Sequence, residues 1–270
     1  MAFSVLSWNI LGPATRDVED FGFIKNDYGR LGKSLEIINN FEADILCFQE
    51  VDLQSLHLFN NFLLGQYAQV AYHEKGSHGG VVLYIKKSKF TVGDTLSSVL
   101  KNSASDAPGA FCGAIIQSIE TKNSFFVASV HLSKSSHQQA ISEGIYQVSD
   151  LCRRLGKNLP DTIILAGDFN TMYNDMKEAI LPHMSQGLEK KIIMFEHESC
   201  TSNSPQGEFK SIDHVLYTGF HINFQKSCVA STQYHHIDRK DLKESMSHGH
   251  VVMIHNELPS DHAPLFAVFE

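Results

Sequence analysis

The chain has 270 residues, of which 43% are hydrophobic and 19% charged, an ordinary composition for a globular protein. Its formal net charge of -8 argues against a protein that coats long duplex nucleic acid, because such proteins present a basic surface. No apolar run approaches the roughly 20 residues that span a bilayer. The N-terminus also lacks the basic region of a signal peptide, so we expect a cytoplasmic protein without stable membrane insertion.

The chain shows no internal repeat, low-complexity block or linker, and we predict a single domain over residues 1–270 that acts as a monomer. The five cysteines are scattered and form no CxxC pair, which argues against a disulfide framework or a zinc ribbon. Cys47 lies within an apolar run and is interpreted as a buried side chain.

Short apolar runs predict most of the strands. Several of them are apolar on both faces, as in residues 81–85, which is typical of a strand between two layers. In chain order the predicted strands are 3–10, 44–50, 80–85, 111–119, 125–132, 162–166, 212–217, 221–230 and 265–269.

Two helices are predicted between the strands. In 30–41 the residues Leu31, Leu35 and Ile38 form one apolar face, and 136–155 has a longer apolar stripe behind a serine cap. Many strands with a few long helices predict an α/β (α+β) layered sandwich, in which two sheets pack face to face and helices cover the outside.

Residues 231–256 form a polar, histidine-rich segment that we predict to be a loop. Its histidines fit no recognised zinc spacing, so they are not assigned to a metal site.

Polar residues follow several predicted strands where each strand ends. Asn9, Glu50 and His131 follow three of them, and Asp168 and Asn170 follow a fourth. Strand ends at one edge can gather side chains without filling the core. Taken alone, each has an ordinary alternative as a turn residue, a solvated strand end or a hydrogen-bonded structural histidine.

The C-terminal half adds Asp213 and the adjacent pair Asp261 and His262. Carboxylates together with an amide suit Mg²⁺, or Mn²⁺ as a substitute, because both ions prefer oxygen ligands. A histidine beside a separate aspartate suits proton transfer or the stabilisation of developing charge. Together these groups meet the needs of phosphodiester hydrolysis.

Six motifs in sequence order resemble the signature of the endonuclease/exonuclease/phosphatase superfamily. They are the segments 7–11, 48–51, 130–132, 167–170, 212–214 and 259–262, which read SWNIL, FQEV, VHL, GDFN, IDH and PSDH. The resemblance covers nearly the whole chain. It implies a DNase I-like four-layer sandwich, with two mixed β-sheets flanked by helices, and a metal-dependent phosphodiesterase activity.

The resemblance also implies a role for each site residue. Glu50 would be the principal metal ligand, Asn9 would contact the metal or the phosphate, and Asp261 would complete the metal environment. The implied catalytic set is Asp168 for the attacking water, Asn170 and His131 for the phosphate or leaving group, and His262, oriented by Asp213, for transition-state charge.

Within the superfamily the chain most resembles the branch of CCR4-type deadenylases, nocturnin, Angel and the 2′,5′-phosphodiesterase. That resemblance implies a nuclease acting on RNA or oligonucleotide 3′ ends, and Phe209 could stack a base. The segment after His131 has no proline, however, and a proline there would complete the adenine clamp of that branch. Lys86, Lys87 and Lys89 resemble its basic turn, with an ordinary solvated turn as the alternative.

Three other functions stay open. The same chemistry could act on a phospholipid or inositol phosphate, as in sphingomyelinases and inositol phosphatases, or on damaged DNA ends. A catalytically silent binding protein is the third alternative, and loss of a metal ligand or of the catalytic histidine would indicate it. Every expected position is filled in this chain.

Overall fold

The computed structural model describes residues 2–11, 27–75, 79–101, 108–133, 139–156, 158–194, 201–203, 209–218, 224–229 and 260–269. In chain order the elements are β1 (Phe3–Asn9), α1 (Asp27–Phe41), β2 (Ile45–Val51), α2 (Leu53–Leu63), β3 (Tyr67–Glu74), β4 (Gly80–Lys86), β5 (Phe90–Leu100), β6 (Gly109–Ser118), β7 (Ser124–His131), α3 (Ala140–Leu155), β8 (Ile163–Asp168), α4 (Tyr173–Asp175), a π-helical turn (Met176–Ile180), α5 (Leu181–Leu188), β9 (Ile193–Met194), β10 (Ser202–Asn203), β11 (Phe209–Lys210), β12 (Asp213–Tyr217), β13 (Phe224–Val229) and β14 (Leu265–Phe269).

The strands form two mixed six-stranded sheets and a small hairpin. The first sheet has the order β13-β14-β1-β2-β4-β3, the second has the order β5-β6-β7-β8-β12-β9, and β10 pairs with β11. In each sheet one central pair is parallel, β1 with β2 and β7 with β8. A helix connects each parallel pair, α1 in the first sheet and α3 in the second, as parallel neighbours require.

Three apolar cores separate four layers. One core lies between the two sheets and contains Val5 and Val127. A second lies between the first sheet and helices α1 and α2, and contains Trp8 and Phe59. The third packs the second sheet against α3 and α5. The predicted four-layer sandwich is therefore confirmed.

Strand β1 shows why the central strands are continuously apolar. Val5 faces the core between the sheets, whereas Leu6 and Trp8 face the helices, and none of the three is exposed to solvent. Burying a large apolar side chain stabilises the fold by about 1.5–3 kcal/mol, and this strand does so on both faces.

All nine predicted strands correspond to observed strands where the structure describes them, with ends that differ by a few residues. Both predicted helices are present, α1 beginning at Asp27 and α3 at Ala140. The predicted loop 231–256 lies outside the described residues. No helix among the described ranges is long and apolar enough to cross a membrane.

Candidate active site

The two parallel pairs end at the same edge of the sandwich and deliver four of the predicted residues there. Asn9 ends β1, His131 ends β7 and Asp168 ends β8, while Glu50 is the penultimate residue of β2. The Asn9 amide connects the two sheets, because its Nδ2 donates to Glu50 Oε1 at 2.9 Å and to Asp168 Oδ2 at 3.1 Å.

Antiparallel strands bring the C-terminal residues to the same edge. Asp213 begins β12 directly opposite Asp168, and His262 precedes β14 by three residues. The Asp213 Oδ2 atom lies 2.8 Å from His262 Nδ1, a strong hydrogen bond. The other ring nitrogen, Nε2, lies 3.7 Å from Asp168 Oδ2.

The His262 backbone is fixed by contacts with β1. The Trp8 indole donates to the His262 carbonyl at 2.8 Å. Ser260 Oγ donates to the Asn9 carbonyl at 2.6 Å and accepts from the His262 amide at 3.1 Å. Trp8 of the first motif and Ser260 of the last motif therefore hold the His262 backbone in place. Their sequence positions alone did not reveal this role.

Thr201 performs a similar task for Asp213. Its Oγ1 accepts from the Asp213 amide at 3.0 Å and from the Ile212 amide at 3.1 Å. The next residue, Ser202, forms an isolated β-bridge with His262. Sequence reasoning missed both residues, because a threonine-serine pair outside a recognised strand carries no distinguishing pattern.

The turn after β8 is built around Asp168. Its Oδ1 accepts from the Asn170 amide at 2.8 Å, and the Asn170 side chain donates to the Leu132 carbonyl at 2.8 Å. Gly167 is required for close packing, since a Cβ there would collide with the Val130 carbonyl oxygen on the neighbouring strand. These contacts hold the Asp168 carboxyl group and the end of β7 in a fixed relation.

Two site residues have left-handed backbone conformations. The φ angles are 58° at Glu50 and 48° at Asn170. Positive φ is uncommon for residues other than glycine, and such strained positions concentrate at functional sites. Gly79 packs against the Glu50 backbone, where an added Cβ would lie 2.6 Å from the Glu50 carbonyl carbon.

Two imidazoles flank the Asp168 carboxylate. His131 Nε2 lies 3.7 Å from Asp168 Oδ2, the same separation as His262 Nε2, and 4.0 Å from Glu50 Oε1. These separations are too long for direct hydrogen bonds. The side chains therefore surround a common space in which another polar group could be held.

Burial dominates the electrostatics of the site. It raises the pKa of Asp168 to about 7 and that of Asp261 to about 6, although the charge of His262 opposes both rises. Burial acts to lower the pKa of His262, but Asp213 and Asp261 outweigh it and raise that pKa well above its usual value. The carboxyl groups outnumber the cationic groups that face them, and extra positive charge would relieve this excess.

The donor chemistry fits a divalent cation with oxygen ligands. Asp168, Asp213 and His262 present ligand atoms within 4.8 Å of one another, but the last two are already hydrogen-bonded together. Glu50 and Asp261 raise the negative charge beside that group. Asp168 belongs to this group, and Glu50 and Asp261 are the neighbouring carboxylates that could complete a cation site. The Asn9 amide orients two of these carboxylates in the present arrangement.

The structure adds Lys75, a residue that the sequence did not single out. It follows β3, which sequence patterning did not predict, and only 7% of its surface is exposed. Burial lowers the pKa of Lys75 to about 8, while Glu50 and Asp168 act to raise it.

Two further predicted features fall elsewhere. The Phe209 backbone pairs with Asn203 in the hairpin beside the site, and its side chain lies outside the described residues. The lysines resembling a basic turn lie at the opposite end of β2, where Lys86 and Lys89 pair with Asp44. Lys86 and Lys89 therefore form an ion-pair cluster with Asp44, whereas the ordinary alternative was a solvated turn.

Comparison with known proteins identifies the same signature over most of the chain. The model of the Endonuclease/Exonuclease/phosphatase family matches residues 6–262. No curated protein sequence matches significantly.

Solved structures with this fold include three informative examples. The human nocturnin catalytic domain with bound sulfate has a TM-score of 0.72 at 18% identity, covering 100% of this chain and 93% of that one. The 2′,3′-cyclic phosphatase ANGEL2 with adenosine-2′,3′-vanadate has a TM-score of 0.70 at 16% identity, with coverages of 100% and 95%. TDP2 of D. rerio with a single-strand DNA product has a TM-score of 0.69 at 12% identity, with coverages of 100% and 99%.

Proposed function

The chain belongs to the endonuclease/exonuclease/phosphatase family and is therefore a hydrolase of phosphoester bonds; we propose that it is a Mg²⁺-dependent phosphodiesterase of the nuclease type. One observation carries the proposal. Residues from distant parts of the chain, including Glu50, Asp168 and His262, come within contact distance at one edge of two sheets. No structural requirement of the sandwich explains so many buried ionisable groups together.

Glu50 and Asp261 would hold the cation, with Asp168 beside them. Bound Mg²⁺ would supply positive charge to the phosphoryl oxygens of the substrate. The Asn9 amide keeps the Glu50 and Asp168 carboxylates in place through its two hydrogen bonds. Mn²⁺ would serve in the same position because it prefers the same ligands.

Asp168 is the group best suited to orient and deprotonate the attacking water. Burial raises the pKa of Asp168, which favours its acceptance of a proton from water. His262, held in its cationic form by Asp213, would stabilise the negative charge that develops on a phosphoryl oxygen. Asn170 and His131 are assigned to holding the phosphate or the leaving group.

RNA or an oligonucleotide is the proposed substrate. Two of the similar structures contain nucleotide-derived ligands, adenosine-2′,3′-vanadate in ANGEL2 and single-strand DNA in TDP2. Phe209, whose backbone lies in the hairpin next to Ser202 and His262, is proposed to stack a base. A damaged DNA end is the second candidate substrate, since the TDP2 structure holds a single-strand DNA product. A phospholipid or inositol phosphate is the alternative outside nucleic acids.

The first prediction concerns the residues that define the site. Glu50→Ala and His262→Ala should each reduce hydrolysis of bis(p-nitrophenyl) phosphate by at least about 10³-fold, because each removes a group that acts on transition-state charge. EDTA should stop the wild-type reaction, and Mg²⁺ should restore it. Circular dichroism should show that both variants remain folded.

Exposed residues of the same types provide matched controls. Glu36→Ala and His57→Ala, on helices α1 and α2, should leave the rate unchanged. Metal-dependent turnover that survives in both Glu50→Ala and His262→Ala would refute the role assignment. A panel of poly(A) RNA, 2′,5′-oligoadenylate, abasic duplex DNA, sphingomyelin and inositol phosphates would then choose among the substrates.

A further inference from the structure

Lys75 lies at the active-site edge of the first sheet. Strands β2 and β3 both run antiparallel to β4, so they point in the same direction and end at the same edge. Gly80 of β4 pairs with Val51 on one side and with Glu74 on the other. Lys75 therefore lies one residue beyond the level of Val51, opposite Gly79, which packs against the Glu50 backbone.

The side chain of Lys75 is unusual because it is buried without a hydrogen bond or ion pair to the other described residues. It is 93% buried, yet its ammonium group has no hydrogen bond or ion pair with any residue that the structure describes. By contrast, Lys86 and Lys89 at the other end of the sheet both pair with Asp44. Lysine is rarely buried to this extent, and removing an ammonium from most of its water is costly unless another group compensates.

The surroundings of Lys75 place its charge beside the catalytic carboxylates without direct contact. Glu50 and Asp168 both act to raise its pKa, and only burial brings that pKa down to about 8. Glu50 and Asp168 are therefore the carboxylates whose charges act on the Lys75 ammonium. Among the described residues, the ion pairs of Glu50 and Asp168 are with histidines and none joins either carboxylate to Lys75.

The backbone holds Lys75 at this point. Its amide donates to the Gly79 carbonyl at 2.9 Å, which closes the connection between β3 and β4. Gly79, with φ of 73°, packs directly against the Glu50 backbone. Gly79 thus contacts both Lys75, through this hydrogen bond, and the Glu50 backbone.

We propose that the Lys75 ammonium binds an anionic oxygen of the phosphoryl group on which the site acts. The inference rests on the proposed function and adds a direct phosphate contact to it. The substrate oxygen would supply a partner that the described residues do not provide, and a charge-assisted hydrogen bond of this kind is strong. Lys75 would also offset the excess of carboxylates around the reacting group.

A purely structural lysine would behave differently from a phosphate-binding one. If Lys75 stabilised the fold, its removal would lower stability. If Lys75 instead binds an anion, its charge is desolvated at a cost to the free protein. Lys75→Met keeps the buried aliphatic part of the side chain and removes that charge, so the variant should be more stable than the wild type. We expect the midpoint of thermal unfolding without phosphate to rise by about 2–4 °C.

The experiment compares the wild type with Lys75→Met, Lys75→Arg and the control Lys87→Met, whose exposed lysine binds the Leu64 carbonyl far from the site. Inorganic phosphate is the probe, with its Kd measured by calorimetry in buffer containing Mg²⁺. Lys75→Met should weaken phosphate binding by about tenfold. Lys75→Arg should retain part of the affinity, and Lys87→Met all of it.

Hydrolysis of bis(p-nitrophenyl) phosphate provides the second readout. Lys75→Met should lower kcat/KM by about 10²-fold, as expected when one charged contact to the transition state is lost. The combination of higher stability, weaker phosphate binding and slower hydrolysis supports the proposal.

Three results would overturn it: Lys75→Met binding phosphate as tightly as the wild type, a wild type without measurable phosphate affinity, or activity lost together with a lowered unfolding midpoint. The proposed function fails separately if the wild type hydrolyses no phosphodiester. The phosphate-binding comparison would still decide the role of Lys75 in that case.

Discussion

The conformation of single residues decides how the catalytic groups are presented. Asn170 has a φ of 48°, a conformation that asparagine tolerates better than most residues other than glycine. Its amide donates to Asp168 and its side chain to Leu132, so the strained backbone is stabilised by the hydrogen bonds that place the catalytic carboxyl group. Strain and function are connected at this residue.

Substitution of Asn170 should separate backbone conformation from side-chain chemistry. Asn170→Gly should be more stable than Asn170→Ala by about 1 kcal/mol, because glycine adopts positive φ without a steric penalty. Both variants should lose most of the phosphodiesterase activity, because both lack the side-chain amide of asparagine. Urea unfolding and a hydrolysis assay test the pair, and equal stabilities would contradict the account of the backbone.

The Asp213–His262 pair should control the alkaline side of the pH profile. The carboxylates raise the pKa of His262 well above its usual value, so the active cation persists to high pH. Asp213→Asn removes the first of these charges and its hydrogen bond. The pKa of His262 should then fall, and the loss of activity at high pH should begin at a lower pH.

The measurement is kcat/KM for bis(p-nitrophenyl) phosphate across pH, with kcat of Asp213→Asn expected to fall by about 10²–10³-fold at its own optimum. Asp161→Asn, which changes an exposed aspartate, should leave the profile as it is. An alkaline limb that does not move in Asp213→Asn would show that His262 does not act as the cation.

Helix α3 is anchored to the second sheet by a charged contact away from the site. Asp150 Oδ2 accepts from the Lys101 amide, which follows β5, at 3.0 Å and from Arg154 at 2.8 Å. Burial acts to raise the pKa of Asp150, but these hydrogen bonds and that from Arg153 prevail and lower it to about 2. The ionised carboxyl group therefore stabilises the packing of α3 on β5.

Asp150→Asn should lower the free energy of unfolding at pH 7 by about 1–2 kcal/mol. The folded-state pKa lies below the ordinary aspartate value of about 3.9, so this contribution is fully present above about pH 4. It should disappear as the pH falls toward 2. Urea unfolding at pH 7, 5 and 3 tests this, with Asp161→Asn as the exposed control, and a constant difference down to pH 3 would contradict the assignment.

Sequence patterns predicted the buried elements well and the exposed ones poorly. Strands such as β1 and β8 were recognised because both faces are buried and the run is apolar throughout. Strand β5 is largely exposed between its two buried ends. Its polar residues interrupt the apolar pattern, so the strand was not predicted. Helix α2 was missed as well, since its start depends on Asp52 accepting from the Ser55 amide, a short-range contact without a long apolar stripe.

The same limit applies to the candidate site. The motif order predicted Asn9, Glu50, Asp168 and His262 at one edge, and the structure brings them together. It could not predict Lys75, because a lone lysine after an unrecognised strand has no distinguishing pattern. The burial of Lys75 is a property of the folded chain, and only the structure reveals it.

The whole molecule has a common plan in its two sheets. In each sheet a parallel pair joined by a helix ends in a polar and an ionisable residue, Asn9 and Glu50 in the first and His131 and Asp168 in the second. An antiparallel neighbour then contributes one more group to the same edge, His262 ahead of β14 and Asp213 on β12. The site therefore depends on how the two sheets face each other.

A double-mutant cycle between the sheets tests this central claim most directly. Glu50→Ala, Asp168→Asn and the double variant should be compared by kcat for bis(p-nitrophenyl) phosphate in Mg²⁺. If the two carboxylates act in one site, the double variant should lose about as much activity as the worse single variant. Losses that multiply, as they do for independent residues, would contradict a single site shared by both sheets.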